Sequence, residues 1–234
     1  MADLLIAIDT QAAEWLVGDI RSFAETVLSV VPSGFAAYVR VFHPAYRRTD
    51  GERQPVRWAE IAAATGTQPH AGMQLNAISL VENSNLALPG VYDHPPQLGA
   101  LPEEVAQPLA NVLRAQTSTP ERCWFALWDG YGAARRSKVA RAPRFHLPHR
   151  DYHLLVGPVE ALAESMLDPP WWQSPNLCWP DDRTWCVASE IDLYSTYIGC
   201  SEACRDAILS LPEIEALPIN PTTGISFSSD TINR

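Results

Sequence analysis

Apolar residues recur along this chain at two periods, and each change of period marks an element. Trp15, Leu16, Ile20, Phe23, Val27 and Val30 fall at helical spacing behind Asp9 and Thr10, either of which can cap a helix. The pattern predicts one helix from there to about Val31, stopped by Pro32-Ser33-Gly34. Phe35, Ala37, Val39 and Val41 then alternate with other residues, the period of a strand, and 35–42 reads as a central strand. Residues 44–55 are polar and basic and predict a loop. A short helix follows over 57–64, with Gly66 as its C-terminal stop. The stretch 67–100 is broken by prolines and glycines. A structureless loop of that length is unusual in a compact domain, so one or two short elements are expected near 73–81.

The second half is more regular. Pro102-Glu103-Glu104 opens a helix carrying Val105, Leu109, Val112 and Leu113. Pro108 inside it predicts a late start near Ala106 or a bend. Residues 123–128 are apolar on both faces and predict an interior strand, followed by the turn signal Asp129-Gly130. A basic, exposed loop is expected over 133–144, brief extension over 145–147, and a strand over 152–156. Pro158 opens a helix with Val159, Leu162, Met166 and Leu167. Prolines at 169, 170, 175 and 180 hold 168–182 extended, as an ordered loop packed down by Trp171, Trp172 and Trp179.

From Arg183 a strand pattern resumes. Trp185, Val187, Ser189 and Ile191 share one face; Cys186, Ala188, Glu190 and Asp192 share the other. Residues 194–198 continue it. Gly199 is expected to turn the chain into a helix capped by Ser201 and ended by Pro212. The tail, 220–234, reads as a surface coil. No internal repeat or linker divides the chain. The expected fold is a single α+β domain over 1–234, with a mixed or mainly antiparallel central sheet and helices packed on it.

Composition narrows the class. A chain of 234 residues, 47% hydrophobic and 19% charged, can bury a full core without disulfide or metal staples. A net charge of −10 argues against general binding to nucleic acid or anionic membranes. The amino terminus has no basic segment ahead of its short apolar run, and no stretch approaches the roughly 20 apolar residues of a membrane span. The expected location is the cytoplasm, with five reduced cysteines.

Several residue groups carry candidate chemistry. Glu190 and Asp192 would project from one strand face about 7 Å apart. With Asp129 at the end of another strand, they form a candidate catalytic carboxylate set. The cysteines at 178, 186, 200 and 204 lack the tight knuckles of a zinc site and read as buried thiols. His146, His149 and His153 flank Pro148, so no single helix aligns them for a metal. The sequence calls for no cofactor. The basic run Arg135, Arg136, Lys138, Arg141, Arg144 and Arg150 suits an anionic partner. Trp171, Trp172, Trp179 and Tyr131, with Arg135 and Arg136, are the candidate contacts for a ligand or partner, since Trp, Tyr and Arg dominate binding surfaces.

In the phrases CWFALWDGYG (123–132), PNLCWPDD (175–182) and WCVASEIDLYSTYIGCS (185–201), the chain resembles an uncharacterised family of arginine-rich bacterial proteins from high-GC genomes. The resemblance covers most of 35–234 and implies no known activity. In the order of its elements the chain is also similar to immunity modules of the SUKH kind, which bind toxin proteins. The expected function is a non-catalytic binding or immunity-like module, with a protein partner or a small-molecule ligand; a hydrolase using the clustered carboxylates, with or without a metal ion, is the competing class. The sequence leaves the oligomeric state open.

Overall fold

The computed structural model describes residues 4–80, 87–134, 138–169 and 171–233. Its centre is a nine-stranded sheet in the order β1 (Leu5–Ile6), β7 (Arg150–Gly157), β5 (Cys123–Trp128), β8 (Leu177–Pro180), β9 (Cys186–Ala188), β10 (Ser195–Cys200), β2 (Ala37–Phe42), β11 (Ala216–Pro218). The ninth strand, β6 (Arg144–Leu147), pairs with β7 beside β1. Each of these pairings is antiparallel. With helices packed against it, this is the single-domain α+β architecture the sequence predicts.

The sheet is covered on both faces, which is why its strands read as near-continuous apolar runs. One face carries Val39, Phe125, Leu155, Cys178, Val187 and Ile198. It is covered by α4 (Glu103–Arg114), the 3-10 turn Val159–Ala163 and α5 (Glu202–Leu209). Trp185 is fully buried on this side, and its indole donates to Leu113 O at the end of α4 (3.1 Å). The other face carries Tyr38, Trp124, Leu154, Trp179 and Tyr197 beneath the N-terminal segment. A third cluster joins Phe42 to α2 (Trp58–Thr65) and α3 (Leu75–Ser79). It is organised by Arg40, only 2% exposed. Arg40 donates to Ser195 Oγ, Ala71 O and Met73 O, and its guanidinium lies near the Phe42, Trp58 and Tyr197 rings.

Several sequence expectations hold closely. Strand β5 covers the predicted 123–128, and α2 ends at Gly66 in the left-handed conformation (φ 74°). Ser201 caps α5, accepting the Cys204 N–H at 3.1 Å. All five cysteines are free, buried thiols. Helix α4 starts at the predicted opening, Glu103, and runs through Pro108, so of the late start or bend expected there the late start does not occur; burial of Val105, Leu109 and Leu113 holds the helix.

Others need correction. The single helix expected up to Val31 is only α1 (Glu14–Asp19), with a separate 3-10 turn at Val27–Ser29. The chain leaves the helix at Ile20, and the Asp19 carboxylate reaches across to Ser33 N and Oγ. Two short pieces let Leu16, Ile20, Val27 and Val30 settle on one sheet face, a match to the same spacing that a rigid rod does not require. The polar stretch 44–55 is a hairpin of β3 (Ala45–Thr49) and β4 (Glu52–Val56). Asp50 and Gly51 both have positive φ (53° and 87°), the type I′ arrangement that the Asp-Gly pair favours. Strand β2 lies one place in from the sheet edge, not at its centre.

Helix 158–167 reduces to the 3-10 turn, and the loop 168–182 contains the interior strand β8. Gly199 lies inside β10, where a Cβ would stand 2.3 Å from the Phe35 ring; its role is close packing, not turning. The expected exposed loop 133–144 buries Ala134, Val139 and Ala142. Among the described residues the tail past Ile219 has no helix or strand, yet it is not merely surface coil. Ile225 and Asp230 are buried, and Asp230 accepts from Gln74 N, Ile232 N and Asn233 N.

Candidate functional site at one end of the sheet

The ends of β5, β7 and β9 and the segment leading into β8 lie at one edge of the molecule, and most of the sequence-predicted site residues are there. Asn176 locks these ends together. Its Oδ1 accepts the Trp128 N–H (2.9 Å), and its Nδ2 donates to Ser189 O (3.0 Å) and Tyr131 Oη (3.2 Å). Gly99 braces the same place from a loop. Its N–H donates to Leu193 O (3.0 Å), while its carbonyl accepts from Tyr131 Oη, Gln173 Nε2 and Asn176 Nδ2. Gly99 has φ +73°, and a Cβ there would fall 2.5 Å from Ile191 O. Glycine is therefore required both by backbone angle and by space.

Glu190 and Asp192 do not lie along a strand. Strand β9 ends at Ala188, and the chain turns, with Leu193 N donating to Glu190 O (3.0 Å). Within the turn Glu190 Oε2 accepts the Asp192 N–H (2.7 Å). Arg150, at the start of β7, then takes both carboxylates: Nε to Glu190 Oε1 at 3.1 Å and Nη2 to Asp192 Oδ2 at 2.8 Å. The guanidinium lies 4.5 Å from the Phe23 ring centre and 5.5 Å from that of Trp128. Burial raises the Glu190 carboxyl above the usual glutamate range, although the Asp192 N–H and Arg150 pull it down. Arg150, Tyr152, Asn176 and Glu190 line a cavity of about 20 Å³, room for one water molecule.

Asp129 has other partners. Its carboxylate accepts from Arg144 Nη1 (2.6 Å) and lies 3.0 Å from His153 Nε2. Burial works to raise its pKa, but these cationic and hydrogen-bonding neighbours outweigh it and hold the group below the usual range. The three candidate catalytic acids are thus held by different cations, Asp129 by Arg144, Glu190 and Asp192 by Arg150. Among the described residues no group of three His, Cys, Asp or Glu side chains is placed to hold a metal ion. The histidines have separate environments: His146 pairs with Asp151, His149 lies against Phe23, and His153 is buried on Asp129. Of the basic run, Arg144 and Arg150 are engaged by carboxylates within the chain, while Arg141 is exposed. Arg135 and Arg136 lie outside the described residues.

On the other side of the Asp129 turn is a groove of about 370 Å³, lined by Tyr131, Leu167, Trp171, Trp172 and Gln173. Three of the predicted contact residues, far apart in sequence, meet here. The walls are braced. Trp172 Nε1 donates to Leu101 O (3.0 Å). The Ser165 hydroxyl lies 3.0 Å from Trp171 O and 2.9 Å from Leu167 O, and accepts the Gln173 N–H at 3.1 Å. Trp128 and Tyr131 pack edge to face at 5.2 Å, linking the groove to the Arg150 clamp. Trp171 is held out on this framework with 64% of its surface exposed. Trp179, expected to join it, does not: it is 1% exposed in β8, between Trp15 and Phe145. Alternation along β8 turns that ring onto a covered sheet face.

Sequence reasoning missed Gly99 and Asn176, and placed Arg150 in the wrong role. The signals were faint: a Gly in a loop, an Asn between prolines, and an Arg in a basic run. No family model, curated protein or solved structure matches the chain. No helix among the described residues is long and apolar enough to cross a membrane.

Proposed function

We propose that this protein is a binding module that docks a segment of a protein partner in the Tyr131–Trp171–Trp172 groove and performs no chemistry there. The observation that carries this reading is Trp171. A solvent-exposed indole costs hydrophobic free energy unless something covers it, and this one stands on a loop braced by Ser165 and Trp172. Rigid aromatic side chains add contact area at small entropic cost on binding, since little freedom remains to be lost. The similarity of element order to SUKH-type immunity modules supports a protein, ahead of a small molecule, as the partner. The acids proposed for hydrolysis are already neutralised by Arg144 and Arg150, which favours binding over that alternative.

The test compares wild-type and Trp171→Ala chains as immobilised baits in lysate from the cells that encode the protein. Both should give the same circular dichroism spectrum and melting temperature. A partner retained by the wild type and lost by Trp171→Ala is expected. An identical set of retained proteins would overturn the reading.

A further inference from the structure

The cavity bordered by Arg150, Tyr152, Asn176 and Glu190 is walled on its other sides by Ile20, Phe23, Val30, Leu147 and Leu177. Nearly all of its polar groups are engaged. Arg150 donates to Glu190, Asp192 and the His149 carbonyl. Asn176 bridges Trp128, Ser189 and Tyr131, and the Ser29 hydroxyl donates to Thr26 O and accepts the Glu25 N–H. Tyr152 differs. The residue is only 5% exposed, yet its hydroxyl has no hydrogen-bond partner among the described residues. That hydroxyl is not among the polar atoms wholly enclosed by protein, so the surface it keeps opens on the cavity that Tyr152 lines. Burial raises the pKa of the phenol, Glu190 raises it further and Arg150 lowers it, as expected of a hydroxyl lying near both. A buried hydroxyl without a partner costs free energy that a bound group can recover.

Phe23 covers the cavity, its ring centre 4.5 Å from the Arg150 guanidinium and 5.2 Å from that of the His149 ring. Among the described residues, no backbone hydrogen bond reaches Arg21, Ser22, Phe23 or Ala24. Segments held so lightly open at low free energy. Ala24 and His149 both have positive φ (54° and 62°), a conformation that costs a residue with a side chain. Strain of this kind collects at ligand clamps and switch regions. With Phe23 in place the cavity, about 20 Å³, holds no more than one water molecule, so anything larger enters only when that ring swings out.

We propose that residues 21–24 form a lid, and that the pocket beneath takes a small uncharged molecule with an apolar body and one group that hydrogen-bonds the Tyr152 hydroxyl. The lining sets this class. Its walls are apolar, its one free hydrogen-bonding group is the phenol, and the Arg150 charge is already met by two carboxylates. A charged ligand would be desolvated there without a partner of its own. The site is separate from the Trp171 groove and does not rest on the docking reading.

The experiment titrates the full chain with phenol and with toluene, which has a similar body and no hydrogen-bonding group, by calorimetry. Phenol should bind one site, about ten-fold more tightly than toluene. Tyr152→Phe removes a hydroxyl that has no partner in the protein, so the variant should melt no lower than wild type. The two probes should then bind it alike. Phe23→Ala should speed the association of phenol in stopped flow. Equal affinity of the wild type for both probes, binding of neither, or phenol affinity unmoved by Tyr152→Phe each overturns the proposal. Should Tyr152→Phe fail to fold, Phe23→Ala decides, and phenol association at the wild-type rate overturns it.

Discussion

Arg150 Nε lies 3.1 Å from Glu190 Oε1, with only 14% of the arginine side chain and 7% of the glutamate side chain exposed. The pair ties the start of β7 to the turn after β9 and holds Asp192 through the same guanidinium. Breaking a buried pair by removing one member leaves the other charge without compensation. Arg150→Met should therefore destabilise the protein by about 3–5 kcal/mol in urea titration. The double change to Arg150→Met with Glu190→Leu should recover part of that loss. A double variant as weak as the single one would show that the pair is not the cause.

The pH dependence of stability should contain two opposite contributions. Glu190 has a raised pKa when folded, so the folded state holds its proton more tightly than the unfolded chain. That contribution is fully present below the ordinary value of 4.5 and is lost as pH rises through the folded value. Glu215, raised by burial, acts in the same sense. Asp182 does the reverse. Burial works to raise it, but donors from Ser118, Thr117 and Thr184 bring it down to about 2. Its contribution is present above the ordinary 3.8 and is lost as pH falls towards 2. Urea midpoints between pH 2 and 7 should show wild type losing ground to Glu190→Gln as pH rises past 4.5. They should show it losing ground to Asp182→Asn as pH falls below 3.8.

Gly99→Ala should be costly although it adds one methyl group. The new Cβ would meet Ile191 O at 2.5 Å, and the backbone would remain at φ +73°. A loss of roughly 2–4 kcal/mol is expected from strain and overpacking together. Because the Gly99 carbonyl accepts from Tyr131, Gln173 and Asn176, the same variant should also weaken partner capture at the groove. Thermal melting with a parallel capture assay checks both effects.

Two tryptophans that look alike in the sequence should behave in opposite ways. Trp179→Ala removes a ring buried between Trp15 and Phe145 and should cost about 3–5 kcal/mol. Trp171→Ala removes an exposed ring and should change stability by no more than about 0.5 kcal/mol. Calorimetry on the two variants separates the core tryptophan from the surface one.

The sequence by itself determined the local elements whose cause is local. The apolar run at 123–128, the Ser201 cap, the Gly66 stop and the opening at Pro102 are each written in a few adjacent residues, and each appears where it was read. It also determined the class, since two-sided apolar strands among amphipathic helices demand a covered sheet. Tertiary structure alone decided which charges meet. Arg150 finds Glu190 across 40 residues of chain, and Arg144 finds Asp129 across 15. Electrostatic attraction depends on distance in space, and a single sequence does not fix that distance. The same holds for the tryptophans. Strand alternation turns Trp179 inward, while the Ser165 bonds hold Trp171 outward, and both arrangements are compatible with the same Pro-rich stretch. The groove exists because the Asp129 turn and the loop after the 3-10 segment converge at one end of the sheet, a juxtaposition that strand order sets and residue pattern does not.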